Sequence, residues 1–251
     1  MKGTFSKKEM LEGFINPLKN FSPILGDNGL VINFTNDDDT IVAKINAINQ
    51  SVGTVIKSTY KNLFDEFEKD DEEECKIGVL RLAEFVNLFS LFNDDSVDFE
   101  FDETTKELKL TQGKANIIYK TADPDLIKEF NKPFSGSVWY SSFVYNDDFS
   151  KFTRAMSVLT NEECIIVEGS SGDGVVDVTI RNKNVVVNSY KIQVETAVSE
   201  DFSMAYKKDV MSMILSPKYD SINLSIGERV CMVETTSKYN DTVFYIAKMT
   251  K

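Results

Sequence analysis

Two pairs of adjacent aspartates are the residues of this sequence that could most directly do chemistry. They are Asp94/Asp95 and Asp147/Asp148. Paired carboxylates can act as general acid and base, and their oxygens can bind a divalent cation. Each pair lies at a predicted helix boundary, where aspartate commonly caps a helix or forms a turn. We therefore interpret both pairs as structural and expect no enzyme, metal or cofactor site, with an acidic metal-dependent enzyme kept as an alternative.

Missing residue types and motifs exclude other kinds of chemistry. The chain contains no histidine, which excludes Ser-His-Asp and Cys-His catalysis and imidazole metal sites. It contains neither Gly-x-x-x-x-Gly-Lys nor Gly-x-Gly-x-x-Gly, the glycine-rich loops that hold nucleotide phosphates. The cysteines Cys75, Cys164 and Cys231 have no metal-type spacing, so we expect reduced, mostly buried thiols.

The length and the hydrophobicity of the chain indicate a globular protein without a membrane segment. Its 251 residues suffice for one large domain or two smaller ones. No apolar run is long enough for a transmembrane helix, and MKGTFSKKEMLEGF has charges where a signal peptide needs an apolar stretch. We therefore expect a cytoplasmic protein (in the host cytoplasm if it is viral) with no membrane partner.

One pattern, a helical stripe followed by two alternating strands, occurs four times. In one copy, RLAEFVNLFSLF has apolar residues at helical spacing and precedes SVDFEF, the turn DETT and KELKLTQ. The other strand pairs are GLVINF with TIVAKI, CIIVEG with VVDVTI, and SINLSI with VCMVETT. The junctions recur about every 57–68 residues, as in an internal repeat. The sequence thus predicts four copies of helix–strand–strand–strand, grouped as two similar domains.

Local signals set the limits of the predicted helices. Ser6 and Glu9 have the spacing of a capping box. Pro17 should kink or shorten the first helix, because proline has no amide hydrogen to donate. Pro217 should end the fourth. The predicted helices are Ser6–Asn20, Arg81–Phe92, Phe149–Thr160 and Tyr206–Leu215.

The predicted domains are joined by a connector with two prolines. The stretch TADPDLIKEFNKPF, residues 121–134, fits neither helical nor strand periodicity. We therefore place domains at 1–120 and 135–251. The acidic run at residues 65–74 is predicted to be a solvated loop or a frayed helix.

The order of several short stretches resembles that of DNA sliding clamps. LFSLFNDD, TADPDLI, NKPF, FSKFTRAMS and TVFYIAKM resemble most closely the clamp of T4-like tailed phages, and GLVINFTNDDDTIVAKI also resembles a hairpin of the eukaryotic clamp. The resemblance covers most of the chain from about residue 19. Residues 56–74 look longer than their counterpart in the phage clamp.

The resemblance implies a fold, an assembly and a function. The fold is α+β, the DNA-clamp fold, with two helices packed on antiparallel sheet in each domain, helices inside and sheets outside a ring. The assembly is a homotrimer that encircles duplex DNA and tethers DNA polymerase and other replication proteins, after placement by a clamp loader. A monomeric, non-encircling processivity subunit of the same fold is the alternative.

A ring around DNA needs positive charge on its inner face, although this chain has a net charge of −12. Three of the four predicted helices are nevertheless net positive, and Lys151 and Arg154 lie opposite the apolar stripe of the third. Basic residues on a polar helix face can also be merely solvated. The DNA-facing residues implied by the resemblance, which should contact phosphate without base specificity, are Lys7, Lys8, Lys19, Arg81, Lys151, Arg154, Lys207 and Lys208.

The resemblance also implies an apolar pocket for peptides of partner proteins, beside the connector and the last strand. Apolar residues on a proline-bounded connector need an apolar place to go. Residues of the last strand can instead be ordinary core and surface positions. The candidates are Leu126, Ile127, Phe130, Tyr245, Ile246 and Ala247.

Overall fold

The computed structural model describes residues 1–37, 40–61, 63–68, 74–92, 96–131, 138–145, 149–182 and 188–249, with the backbone alone at residues 7, 36, 37, 40 and 66–68. These residues form two compact units. The first comprises residues 1–49, 55–131 and 238–242, and the second comprises residues 50–54, 132–237 and 243–251. The change of unit after residue 131 falls within the predicted connector. The sequence analysis did not predict that residues 50–54 belong to the second unit and residues 238–242 to the first.

The first unit contains two antiparallel groups of strands and the first helices. Its helical segments are α1 (Lys7–Met10), a π-helical turn (Leu11–Ile15), α2 (Asn16–Leu25), 3-10 turns at Gly26–Asn28, Phe89–Leu91 and Pro124–Leu126, and α3 (Leu82–Leu88). Its strands are β1 (Lys2–Ser6), β2 (Leu30–Asp37), β3 (Thr40–Asn49), β4 (Thr54–Lys61), β5 (Glu66–Glu68), β6 (Cys75–Val79), β7 (Ser96–Asp102), β8 (Glu107–Gln112) and β9 (Ala115–Lys120). They are ordered β5-β1-β7-β8-β9 and β4-β3-β2-β6.

The second unit repeats this construction. Its helices are α4 (Phe149–Val158) and α5 (Lys208–Leu215). Its strands are β10 (Trp139–Val144), β11 (Cys164–Ser170), β12 (Val175–Arg181), β13 (Tyr190–Glu195), β14 (Phe202–Lys207), β15 (Ser221–Gly227), β16 (Val230–Thr236) and β17 (Asn240–Ala247). They are ordered β13-β12-β11-β14 and β10-β15-β16-β17.

The four predicted strand pairs are present as antiparallel hairpins. They are β2 with β3, β7 with β8, β11 with β12, and β15 with β16. In β7 the alternation buries Val97, Phe99 and Phe101 on one face and leaves the intervening side chains at least partly exposed. This is the period-2 pattern of a half-buried sheet, which the sequence predicted.

Each repeat also begins with a strand that the sequence analysis did not predict. These leading strands, β1, β6, β10 and β14, come directly before the helix of their own repeat. Each pairs with the first hairpin strand of the other repeat in the same unit: β1 with β7, β6 with β2, β10 with β15, and β14 with β11. The two repeats of a unit are therefore joined by exchanged strands, which explains why four repeats give two units.

The first predicted helix is present but interrupted. Glu9 N donates a hydrogen bond of 3.2 Å to Ser6 Oγ, as expected for one half of a capping box. Asn16 N then donates to Leu11 O, five residues back, which makes the π-helical turn before Pro17. Because proline supplies no amide hydrogen, the predicted irregularity occurs here. The helix nevertheless continues to Leu25, with Pro23 inside it.

Two further predictions concern the cysteines and the acidic run. All three cysteines are buried, and burial raises the pKa of Cys231 to about 12. Residues 66–68 form β5, which pairs with β1, so the predicted loop or frayed helix is wrong for this part of the acidic run. Residues 69–73 lie outside the described residues.

Candidate functional site

The basic face of α4 is formed as predicted. Phe149, Phe152 and Met156 are buried, whereas Lys151 and Arg154 are exposed. This division follows from helical periodicity, since residues three apart share a face. The two cations are therefore free to reach a phosphate backbone, if DNA lies on this side.

The predicted DNA-facing residues of the first unit are also solvent-exposed where they are described. Lys8 and Lys19 are exposed on α1 and α2, and the side chain of Lys7 lies outside the described residues. Arg81 immediately precedes α3, and its Nη1 lies 3.2 Å from Glu84 Oε2. An exposed pair of this kind contributes little to stability, so it orients Arg81 without removing it from solvent.

Lys208 does not face solvent, and its predicted contact with DNA is therefore wrong. The residue is only 4% exposed, and its Nζ donates hydrogen bonds to Leu159 O at 2.6 Å and Thr160 O at 3.3 Å. These carbonyls follow the C-terminal end of α4, where a cation is favourable. Lys208, the first residue of α5, thus fixes the start of α5 to the end of α4.

The connector is fixed to the first unit through β6. Ala122 N donates to Gly78 O at 2.9 Å, and a Cβ on Gly78 would lie 2.5 Å from Ala122 O and 3.2 Å from Ile127 Cδ1. Only glycine permits this close approach. Asp123 caps the following 3-10 turn by accepting from Asp125 N.

The three connector candidates occupy different environments. Leu126 is 77% exposed, whereas Ile127 is 6% exposed and packs beside Gly78. The prediction of direct peptide contact is therefore wrong for Ile127, which anchors the connector instead. Phe130 is partly exposed, and Lys57 Nζ lies 5.9 Å from the centre of its ring.

The last strand alternates between core and surface. Ile246 is 1% exposed and belongs to the core, so its side chain is not open to a peptide as predicted. Tyr245 is half-buried, and its burial, with a smaller effect of Glu234, raises its pKa. Ala247 is exposed. This alternation is the ordinary geometry of a strand.

A groove of about 290 Å³ lies beside this strand in the second unit. It is lined by residues 50–53, by Lys207 and by residues 246–249. Gly53 takes φ +66°, which favours glycine, and Gly53 O accepts a hydrogen bond of 2.8 Å from Ala247 N. Met249 N donates to Ala205 O at 2.8 Å. The turn and the C-terminal segment are therefore held in place on both sides of the groove.

Sequence reasoning found only part of this groove. Ile246 and Ala247 were predicted for the partner site, and Lys207 was predicted for DNA. The turn at 50–53 and Lys248 were missed, since a turn next to a strand end is common in any antiparallel protein. The short signal NQSVG before a strand could have marked the turn, but not its position beside the last strand.

The acidic residues of β7 have structural partners. Thr4 Oγ1 donates to Asp98 Oδ1 at 3.2 Å, and Lys2 Nζ lies 3.0 Å from Glu100 Oε1 and lowers the pKa of that carboxyl. Both contacts join β7 to β1.

The pairs Asp94/Asp95 and Asp147/Asp148 lie outside the described residues. In the described part of the chain, no three His, Cys, Asp or Glu side chains are grouped to hold a metal ion, and no helix is long and apolar enough to span a membrane.

Comparison with known proteins identifies the fold. No family profile and no curated protein matches the chain, but solved structures do. The PCNA2–PCNA3 complex of Sulfolobus tokodaii matches with a TM-score of 0.67 and 17% identity, over 99% of both chains. The C-terminal region of FEN-1 bound to A. fulgidus PCNA matches with a TM-score of 0.71 and 12% identity, over 100% of this chain and 98% of that chain.

A bacterial clamp also matches the whole of this chain. The Helicobacter pylori beta clamp bound to a DNA ligase peptide matches with a TM-score of 0.69 and 16% identity, over 100% of this chain and 66% of that chain. Identities this low establish the fold alone. The chain therefore has the α+β sliding-clamp fold, which confirms the predicted fold class.

Proposed function

We propose that this protein is a sliding clamp, not an enzyme, that encircles duplex DNA and tethers DNA polymerase and other replication proteins during processive synthesis. The observation that carries the proposal is the end-to-end match of the fold, which covers 99% of this chain and 99% of a PCNA chain. Exposed basic residues on α1, α2 and α4 and beside α3, in a chain of net charge −12, favour the same function. They suit mobile, sequence-independent phosphate contacts.

Open sheet edges support assembly of a homotrimer. Strands β9 and β13 each end a described sheet order. On β9, Ile118 is 62% exposed, and on β13, Ile192 and Val194 are only partly buried. Apolar residues on an unpaired edge favour pairing with another strand. We infer that β9 of one subunit pairs with β13 of the next, which closes a ring of three copies.

The groove at residues 246–249 supports docking of partner peptides. Two of the matching clamps carry a partner segment, from FEN-1 in one and from DNA ligase in the other. We infer that a peptide of the polymerase or the clamp loader binds here, with Ala247 as an apolar contact. The resemblance to clamps of T4-like bacteriophages stays a prediction.

Retention on DNA of different topology tests the proposal. The protein is diluted to dissociate it, concentrated again with a nicked circular duplex, and passed through a sizing column in about 1 M NaCl, where phosphate contacts are largely screened. We expect it to stay with the circle and to be lost after a restriction enzyme cuts the circle. Loss from the uncut circle would contradict encirclement and would favour the monomeric, non-encircling processivity subunit.

A further inference from the structure

The groove of the second unit is lined by both apolar and basic side chains. The methyl group of Ala247 and the partly buried thioether of Met249 provide the apolar surface, and Met249 Sδ lies 3.5 Å from Cys164 Sγ. Lys207 and Lys248 are both exposed and both line the groove. A ligand in the groove therefore meets apolar atoms and two cations at once.

These two cations are not neutralised by the protein where it is described. Across the described ranges, no carboxylate oxygen lies within 4 Å of either ammonium. Unpaired charge at the rim of an apolar site favours a ligand of opposite charge and excludes ligands of like charge.

The apolar lining of the groove distinguishes between the two anionic groups that lysines commonly bind. Lysine acts as a point charge toward either phosphate or carboxylate. A DNA backbone would leave the surface of Ala247 and Met249 without an apolar partner, whereas a peptide can supply apolar side chains and a carboxylate together. The surroundings of Lys207 therefore favour a peptide over its predicted contact with DNA.

We propose that this groove selects partner peptides with an aspartate or glutamate next to their apolar anchors, and that Lys207 and Lys248 are the residues that select it. The inference rests on the proposed function, which supplies the peptide. It adds a specificity that the fold alone does not carry, because it depends on two side chains of this chain.

A random peptide library displayed on phage tests this inference. Dodecamers are selected on the full chain, and those that still bind Ala247→Trp, which blocks the groove, are set aside. We expect the remaining sequences to share apolar residues and an aspartate or glutamate at a fixed position. The best peptide should bind Lys207→Met/Lys248→Met about three- to ten-fold more weakly, as for a charge pair at an interface rim. Its Asp→Asn form should lose the same factor on the wild-type chain.

A double-mutant cycle separates this pairing from general charge effects. The affinity of the Asn peptide for the double variant should equal the affinity measured when only the peptide or only the protein is changed. This is expected because each change removes the same interaction. Lys44→Met changes an exposed lysine of β3, in the first unit, and is the matched control that should leave affinity unchanged.

Three results would overturn the inference, and they differ in meaning. Groove-binding peptides without an acidic preference, or with equal affinity for the double variant, would remove the acidic specificity and leave the docking groove intact. Failure of the wild-type chain to select any groove-binding peptide would remove peptide docking as well. Unchanged peptide affinity with weaker loading onto circular DNA at low salt would assign the two lysines to DNA.

Discussion

At the scale of single residues, neighbours in the sequence have opposite roles. Leu126 is exposed and Ile127 is buried, and Lys207 is exposed and Lys208 is buried. The resemblance implied a role for these positions but did not show which member of each pair faces solvent. Lys207 is the last residue of β14 and Lys208 the first of α5, so their orientations depend on a boundary that the sequence analysis placed two residues earlier.

The connector pair gives a first prediction. Leu126→Ser should weaken binding of a polymerase peptide and leave unfolding unchanged, since its side chain contacts mainly solvent in the free protein. Ile127→Ser should lower the free energy of unfolding by about 2–4 kcal/mol, because it removes a buried side chain and buries a hydroxyl. Peptide titration and urea unfolding measure the two effects. Equal effects of both variants in both assays would contradict this division of roles.

Lys208 gives a second prediction. Lys208→Met keeps much of the side-chain volume but removes both hydrogen bonds to the end of α4. We expect a loss of about 1–3 kcal/mol in the free energy of unfolding, as for hydrogen bonds to charged groups. The exposed neighbour Lys207→Met is the control and should stay within about 0.5 kcal/mol. The same loss in both variants would show that Lys208 is not the structural member of the pair.

The α4 cations give a third prediction. Lys151→Glu with Arg154→Glu should weaken loading onto circular DNA at low salt and leave the subunit number unchanged, since both side chains are exposed. The matched control, Lys44→Glu with Lys76→Glu, reverses two exposed charges on the sheet. Lys44 lies on β3 and Lys76 on β6, and both are paired with Asn33 of the intervening strand β2. Wild-type loading by the α4 variant, or an equal loss of loading in the control, would argue against α4 as a DNA-facing element.

At the scale of elements, the hairpins were predictable and the leading strands were not. Each hairpin pairs strands joined by a short loop, so alternation and turn residues reveal it locally. The leading strands β1 and β14 run directly into α1 and α5, so no turn marks where the strand ends. Their partners lie far away in the sequence, with Lys2 opposite Glu100 in the sheet. Single-sequence periodicity contains no information about such long-range pairing.

The edge strand β9 gives a fourth prediction. Ile118→Glu should dissociate the trimer, because it buries a charge in the proposed contact between β9 and β13. The folded subunit should be unaffected, since Ile118 is 62% exposed. Leu91→Glu is the control, because Leu91 is 64% exposed but lies in a 3-10 turn. Sedimentation velocity measures the change, and an unaltered trimer in Ile118→Glu would exclude β9 as the contact.

At the scale of the whole molecule, the sequence predicted the fold class through repetition and resemblance. The fourfold pattern indicated two similar halves, and the structure has two compact units. The groove could not be predicted in full, because its lining comes from residues 50–53, 207 and 246–249, which are distant in the sequence. The proposed number of subunits comes from the resemblance alone.

The mass of the protein in solution tests the central claim most directly. The proposed ring contains three copies of the chain, so that six units surround the duplex. Sedimentation equilibrium over a range of concentrations should give three times the chain mass of 28.4 kDa. A mass of 28.4 kDa at all concentrations would contradict the proposed ring and would favour a monomeric processivity subunit with the same fold.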